Sequence, residues 1–302
     1  MTDTFTTTAD DILGNSDLAG RHVVITGATG GLGLASALAF ARAGANLVLI
    51  GRDADRLAAA GSAVDAAGPG TTTTERVDLA DLDAVADLTD RLTRSNPQID
   101  ILVLNAGIMA APLTRSPQGH EMQLAVSHLG HAALTKGLLD VLIASKARIV
   151  TLSSSGHWLG GYDFADPDFL ERDYDKWVAY GQAKTATTLF AIALADRYGT
   201  DGITAAAVHP GVIETDLQRH LGDEEARQVL AMSADQGELR SVDAGAASIV
   251  WAAVAPEIAA HNGCYVANCT VANDLRAPHA ADPADAARLW DATMELIDGT
   301  RS

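Results

Sequence analysis

The chain has 302 residues, with apolar side chains (48%) sufficient for one large core, and it carries 21 basic against 39 acidic groups, a formal charge of −18. Acidity of that size excludes nucleic acid and anionic membrane as partners, because both demand clustered Lys and Arg; it reads as a solubility feature. Cys264 and Cys269 are too few for a disulfide framework and fit no zinc spacing, so two reduced thiols in a cytoplasmic protein are expected.

Residues 1–17 are rich in Thr and Asp and lack both a basic start and an apolar run, so they read as a polar extension and not as a secretory signal. Strand-like and helix-like segments then alternate. His22–Thr26 is a short β-rich run, 32–43 is helical in composition, and 46–50 is a second apolar run. Residues 53–67 are Ala-rich and helical, 71–77 are β-branched and polar, and Leu82–Ser95 is helical again, stopped by Asn96-Pro97. An apolar strand at 99–104 precedes a helix expected over 118–144; Arg148–Leu152 is the next strand, followed by a helix over 176–197, a strand at 203–208 and a last one around Tyr265-Val266. No stretch is long and charge-free enough to span a bilayer.

Strands apolar on both faces mark a parallel sheet covered by helices on both sides. The alternation predicts right-handed crossovers. The expected fold is therefore α/β: a single-domain, doubly wound parallel sheet of about seven strands within residues 18–302. Two longer polar stretches, 155–176 and 214–241, interrupt the rhythm. Both begin at C-terminal ends of strands, where such sheets bind ligands, so they are expected to cover a substrate.

Between the first strand and the first helix lies Thr26-Gly27-Ala28-Thr29-Gly30-Gly31-Leu32-Gly33. Glycines here let the chain turn tightly and let backbone N–H groups approach a pyrophosphate. The helix N-terminus adds partial positive charge. Gly27, Gly31 and Gly33 match one glycine spacing, and Gly27, Gly30 and Gly33 match another, so the turn alone leaves both open. No Gly-Lys-Ser/Thr follows, which excludes a P-loop. The second strand ends at Ile50-Gly51-Arg52. An acid there would bond the 2′-hydroxyl of NAD; Gly51 leaves room and Arg52 can pair with a 2′-phosphate, which favours NADP over NAD. Asp53 and Asp55 pull the other way.

Tyr180 and Lys184 share a helix face, four residues apart. A nearby ammonium favours the phenolate and is expected to lower the tyrosine pKa, making a proton donor or acceptor for an alcohol or carbonyl oxygen. The fifth strand runs into Ser153-Ser154-Ser155, where a hydroxyl could stabilise developing charge.

Taken in order, Thr26-Gly27…Gly31…Gly33, Asp78-Leu79, Asn105-Ala106-Gly107, the three serines, Tyr180…Lys184 and Pro210-Gly211…Thr215 resemble the motifs of the short-chain dehydrogenase/reductase family over residues 18–268. The strings Ser127-His128-Leu129-Gly130-His131, Ser154-Ser155-Gly156-His157 and Val208-His209-Pro210-Gly211-Val212 resemble its retinol-dehydrogenase-like branch. The resemblance implies a Rossmann-type catalytic domain that moves a hydride between NADP(H) or NAD(H) and a small carbonyl or alcohol substrate with an apolar body. It implies Tyr180 as general acid/base, Lys184 holding the nicotinamide ribose, and Ser154 orienting the substrate oxygen, with Ser153 and Ser155 as substitutes. Asp78 would meet the adenine, Asn105 would stabilise the sheet beside the cofactor, and Thr215 would touch the carboxamide. Thr29, Leu32, Leu79, Ala106, Gly107, Pro210, Gly211 and Val212 complete the expected cofactor-binding set.

The chain departs from the family pattern in three places. Ser127 stands where the family usually has Asn supporting a water in the proton relay. Ser154 and Tyr180 lie about twice the common spacing apart, which reads as an insertion over 156–175. The N-terminus is polar where branch members often carry a membrane anchor, so no membrane partner is expected. Relatives often pair through helices near 118–144 and 176–197, so a homo-oligomer is open, although inserted segments can block it. An extended-branch sugar-nucleotide epimerase or dehydratase shares the alternative glycine spacing and Tyr-x-x-x-Lys. A non-catalytic, cofactor-binding redox sensor would account for Ser127. Asn105-Ala106-Gly107 argues against the first, and the intact Ser154, Tyr180 and Lys184 against the second. His128, His131, His157 and His209 read as packing or hydrogen-bonded residues, and no metal site is expected. Trp158, Tyr162 and Phe164 either line an apolar pocket or anchor the insertion.

Overall fold

Apolar runs with no polar face dictate where the inner strands lie, while the edge strand at 72–76 is β-branched and polar. The computed structural model describes residues 6–14, 16–213, 221–235 and 239–299. His22–Thr26 (β1), Asn46–Gly51 (β2), Thr72–Arg76 (β3), Ile101–Leu104 (β4), Arg148–Leu152 (β5) and Thr204–His209 (β6) pair in parallel. Val212–Ile213 (β7) and Leu239–Arg240 (β8) form a separate two-stranded ribbon. Cys264–Ala267 (β9) extends the main sheet in parallel, and Thr270–Val271 (β10) closes its edge antiparallel. The order β10-β9-β6-β5-β4-β1-β2-β3 makes eight strands where about seven were expected; the added one is β10, two residues long and too short to show a period of two.

Successive strand residues serve opposite faces. Val23, Ile25, Ile101, Val103, Val150 and Val208 pack against Ala9–Leu13 (α1), Gly31–Arg42 (α2), Ala54–Asp65 (α3) and the later helix Val242–Val254. Val24, Leu102, Leu104, Ile149 and Ala205 pack on the other side against Leu82–Ser95 (α4) and the helices that follow β4 and β5. The strand order reverses between β1 and β4, which opens a crevice beyond their C-terminal ends.

The polar N-terminal stretch contains α1, capped by Thr8 and Asp11 reciprocally. Its Ala9 and Leu13 are buried, and Asp10 pairs with Arg42 of α2 at 2.7 Å.

The stretch 118–144 is not one helix. Glu121 accepts from the amides of Gln123 and Leu124 and so starts the helix at Met122–Leu124 (α5). Ala125–Leu129 widens into a π turn that carries Ser127. Gly130–Gly137 (α6) follows, and Leu138 (φ −97°, ψ 2°) separates it from Leu139–Ala144 (α7). π turns of this kind cluster at functional sites.

Lys176–Tyr198 (α8) is capped by Asp175, whose carboxylate accepts from Trp177 and Val178 at 2.8 and 2.9 Å. Every residue from 179 to 191 is buried. One side lies on the sheet. Another meets Pro283–Gly299, where Phe190 stacks on Trp290 at 5.8 Å between centroids. A third is covered by the 3-10 turn Ser155–Leu159. The remaining helices are Asp223–Asp235 (α9), Val242–Val254 (α10), Glu257–Ala260 (α11) and Pro283–Gly299 (α12).

The inserted stretch after β5 is tied to the body. The Asp168 carboxylate accepts from the Glu121 amide at 2.8 Å and from His120 Nδ1 at 3.0 Å. Arg115 donates to the carbonyls of Asp168 and Phe169. Tyr162 meets Phe164 edge-on at 4.9 Å, and the Arg288 guanidinium lies 3.9 Å above the Phe164 ring. Tyr162 and Phe164 therefore anchor the insertion and do not line the main cavity, and Trp158 stands 56% exposed.

Candidate active site

The crevice at the strand ends opens into a cavity of about 1110 Å³. One end is made by the glycine turn. Gly27 takes φ +67°, and a Cβ there would lie 2.9 Å from Ala106 Cα; a Cβ on Gly33 would lie 2.4 Å from the Gly27 carbonyl oxygen. Only glycine allows this close winding. Gly30 precedes α2 with no side-chain cap, and the first turn of α2 has no acid. By contrast, Asp53, Asp81 and Asp175 cap α3, α4 and α8. The N–H groups of α2 thus face the cavity available to an anion.

One buried hydroxyl ties this turn to its neighbours. Thr26 Oγ1 accepts from the amides of Asn105 (2.9 Å) and Ala106 (3.1 Å), which leaves its proton for His131 Nε2 at 2.9 Å. His131 Nδ1 then donates to the Ser127 carbonyl at 3.1 Å. Asn105 Nδ2 donates to the carbonyls of Thr26 and Gly27. Burial drives the His131 pKa down to about 3, and Lys184 nearby adds to this, so the ring is neutral.

Ser154, Tyr180 and Lys184 also line the cavity. Burial pushes the Tyr180 phenol up to about 12, and its hydrogen bond with the Ser154 hydroxyl pulls the other way. The lowering expected from Lys184 does not prevail: Nζ lies 5.8 Å from the ring centroid and donates to the Leu152 carbonyl at 2.7 Å. Burial brings Lys184 itself down to about 8. Of the three serines, Ser153 turns inward to Thr188 Oγ1 at 2.7 Å. Ser155 uses its amide to bond His209 Nδ1 at 3.3 Å. Ser154 Oγ accepts from the Gly156 amide at 3.0 Å. A Cβ on Gly156 would lie 2.4 Å from Tyr180 Cε1, so the serine turn rests directly on the tyrosine ring.

Gly27, Thr29, Gly31, Leu32, Arg52, Asp78, Leu79, Asn105, Ala106, Gly107, Pro210, Gly211 and Val212 all line the cavity. Gly33 lies beneath the turn. Ser127 is buried behind Gly107: among the described residues its Oγ has no hydrogen-bond partner, and Ser127 Oγ and Lys184 Nζ would lie 3.5 and 3.6 Å from a Cβ on Gly107. Thr215 lies outside the described residues. Arg56 was not anticipated: it lines the cavity, and a Cβ on Gly30 would lie 2.8 Å from its guanidinium. No helical spacing announces it, because Arg52 precedes the Asp53 cap and lies outside α3. Met109 and Trp177 pack with Tyr180, and with Met122, Leu159 and Val229 they give the cavity an apolar lining brought from segments distant in sequence.

A family model described as Enoyl-(Acyl carrier protein) reductase matches residues 27–255. A protein of Streptomyces lividans described as "Probable oxidoreductase" is 41% identical over 91% of this chain and 97% of its own length. Retinol dehydrogenase 13 of Homo sapiens is 35% identical over 93% of this chain and 85% of its own length. The chain belongs to the short-chain dehydrogenase/reductase family. Within that family it is similar to the retinol dehydrogenases, and it is an oxidoreductase of the NAD(P)-dependent type. A crystal structure from Mycobacterium Paratuberculosis superposes with TM-score 0.75 and 30% identity, covering 95% of this chain and 97% of that one. An NADP-bound structure from Beutenbergia cavernae, described as an NAD(P) dependent gluconate 5-dehydrogenase, gives TM-score 0.68 and 26% identity over 84% of this chain and 97% of that one. The sheet and cavity are thus those of a Rossmann-type dehydrogenase/reductase. Among the described residues, no helix is long and apolar enough to cross a membrane.

Proposed function

We propose that this dehydrogenase/reductase interconverts a ketone or aldehyde and its alcohol on an apolar small molecule, with Tyr180 as general acid/base and NADP(H) favoured over NAD(H). The observation that carries the reading is the Tyr180 phenol, buried beside the Ser154 hydroxyl where the glycine-lined and apolar parts of the cavity meet. The glycine cradle and the uncapped start of α2 fit a dinucleotide pyrophosphate. Arg52 and Arg56 fit a 2′-phosphate. A bound nicotinamide supplies or takes up the hydride at the carbonyl carbon. In reduction, the neutral Tyr180 phenol gives its proton to the substrate oxygen. Ser154, its oxygen held by the Gly156 amide, directs its own proton to that same oxygen. Lys184 spends one N–H on Leu152 and keeps its others for a ribose hydroxyl. Ser127 takes the place of the relay asparagine next to Lys184.

Residues 18–302 act as one catalytic domain in the cytoplasm. The segment 155–176 and the described residues 221–235 of the stretch 214–241 cover the substrate, reaching it through Leu159 and Val229; residues 214–220 and 236–238 lie outside the described residues. Lys176, whose ammonium lies 5.8 Å over the Trp177 ring, is paired with Glu225 at 2.7 Å, and the side chains of Met109, Met122, Leu159, Trp177 and Val229 carry no charge, which favours an uncharged substrate body. The test is Tyr180→Phe, which should abolish NADPH-dependent carbonyl reduction while nicotinamide fluorescence still reports cofactor binding. Turnover undiminished in that variant refutes the mechanism.

A further inference from the structure

His157 closes the branch-marking string Ser154-Ser155-Gly156-His157, and nothing in the chemistry above uses it. It is fully buried. Its Nδ1 lies 2.5 Å from the Ser154 carbonyl, and its Nε2 accepts the Ala277 amide at 3.0 Å. The second contact requires a bare Nε2, so Nδ1 carries the proton and donates to Ser154. The His157 carbonyl accepts from His279 Nε2 at 2.8 Å and from Thr185 Oγ1 of α8 at 3.2 Å. Its ring packs 5.2 Å from that of Tyr265 in β9. Next to it, Trp158 Nε1 donates to the Leu275 carbonyl at 3.1 Å. The serine turn is therefore clamped between two supports: the Tyr180 ring under Gly156, and the segment 275–279 behind His157. That second support lies beyond residue 255, where the match to the family model ends.

We propose that His157 is a positioning residue: it bridges the Ser154 carbonyl to the Ala277 amide and thereby makes docking of the C-terminal segment a condition for correct placement of the Ser154 hydroxyl beside Tyr180. The proposal rests on the reading of Ser154 as the residue that orients the substrate oxygen. Three variants separate its parts. His157→Phe keeps the ring against Tyr265 and removes both bonds. His157→Asn places its amide near Nδ1 and keeps only the Ser154 bond. His157→Gln places its amide near Nε2 and keeps only the Ala277 bond.

The experiment combines hydrogen–deuterium exchange on the full chain with NADPH binding by fluorescence and reduction of 4-nitrobenzaldehyde. In His157→Phe, amide exchange should rise together in 155–159 and 275–280. The kcat should fall about tenfold, the scale of one lost hydrogen bond, with NADPH affinity unchanged. His157→Asn should retain more turnover than His157→Gln. Exchange that rises in 275–280 alone overturns the bridge. Turnover and NADPH affinity falling in parallel in all three variants reduces His157 to a packing residue and overturns its positioning role. Coupled exchange together with full activity in Ser154→Ala would instead show the bridge intact and the reading of Ser154 wrong. The exchange readout needs no turnover, so it decides the bridge even if this aldehyde is not a substrate.

Discussion

Lowering the pH from about 7.5 to about 5 should strip this protein of several kcal/mol of stability before most carboxylates titrate, because its buried histidines must stay neutral. His128 and His131 are both pushed down to about 3 by burial. His128 Nε2 pairs with Thr293 Oγ1 of α12 at 2.7 Å, and His131 bridges Thr26 and the Ser127 carbonyl. Unfolded, each titrates near 6.5. The unfolded chain therefore binds more protons than the folded one between those two values, and stability falls with pH through that window. At pH 5 each ring sits about 1.5 units below its unfolded pKa, which is about 2 kcal/mol per histidine and about 4 kcal/mol for the pair. His209, pushed down to about 4 by burial, works in the same sense. Glu121, raised by burial, works oppositely, since its contribution returns as the pH falls into the carboxylate range. The assay is urea unfolding followed by tryptophan fluorescence at a series of pH values. The midpoint should drop by about 1–2 M between pH 7.5 and 5, for a denaturant slope of about 2–3 kcal/mol/M. His131→Gln, destabilised overall, should show a pH dependence shallower by about one proton. A midpoint that does not move over this range, or a slope unchanged in the variant, would refute the assignment of neutral buried rings.

Three further outcomes follow from the cavity. Gly156→Ala must displace either the serine turn or the Tyr180 ring, and a misplacement near 1 Å should lower kcat by about 100-fold while NADPH still binds; unchanged kcat would mean that this contact sets nothing. Arg52→Ala and Arg56→Ala should each weaken NADPH by about 10–100-fold, the value of a charge-assisted contact, and leave NADH nearly unaffected; equal losses for both cofactors in binding titrations would remove the 2′-phosphate role. Lys184, brought down to about 8 by burial, loses its charge as pH rises through that value, so the reductive rate should fall there. A pH–rate profile of Lys184→Met should show lower activity without that inflection.

The order of the elements and the cofactor half of the cavity were legible because they are local. Glycines, a strand and a helix start are consecutive over 22–33, and Tyr180 and Lys184 sit on one helix face. Features set by tertiary packing were not legible. The break of 118–144 comes from the Glu121 cap and the π turn, which Leu, Ala and His side chains do not announce. Ser154 was named from the motif, but the packing of Gly156 on the Tyr180 ring, which lies far along the chain, was not. The tyrosine pKa was expected to move down because the ammonium four residues away is visible in the sequence, whereas the burial that moves it up is not. Arg56 was missed because its helix is placed over the turn by β2 and β3 packing, not by any motif.

Over residues 179–191, helix α8 is enclosed by its own chain, by the sheet, by α12 and by the serine turn. A rod gripped in this way can neither roll nor slide, so Tyr180 and Lys184 keep a fixed spacing to the strand ends through a catalytic cycle. Movement has to come from outside the grip. Helix α9 meets the body through Glu225, which accepts from Lys176 Nζ at 2.7 Å and Trp177 Nε1 at 3.0 Å at the entrance to α8. Selectivity for new substrates can therefore drift by changing α9 and its latch, with the proton-transfer machinery left at rest.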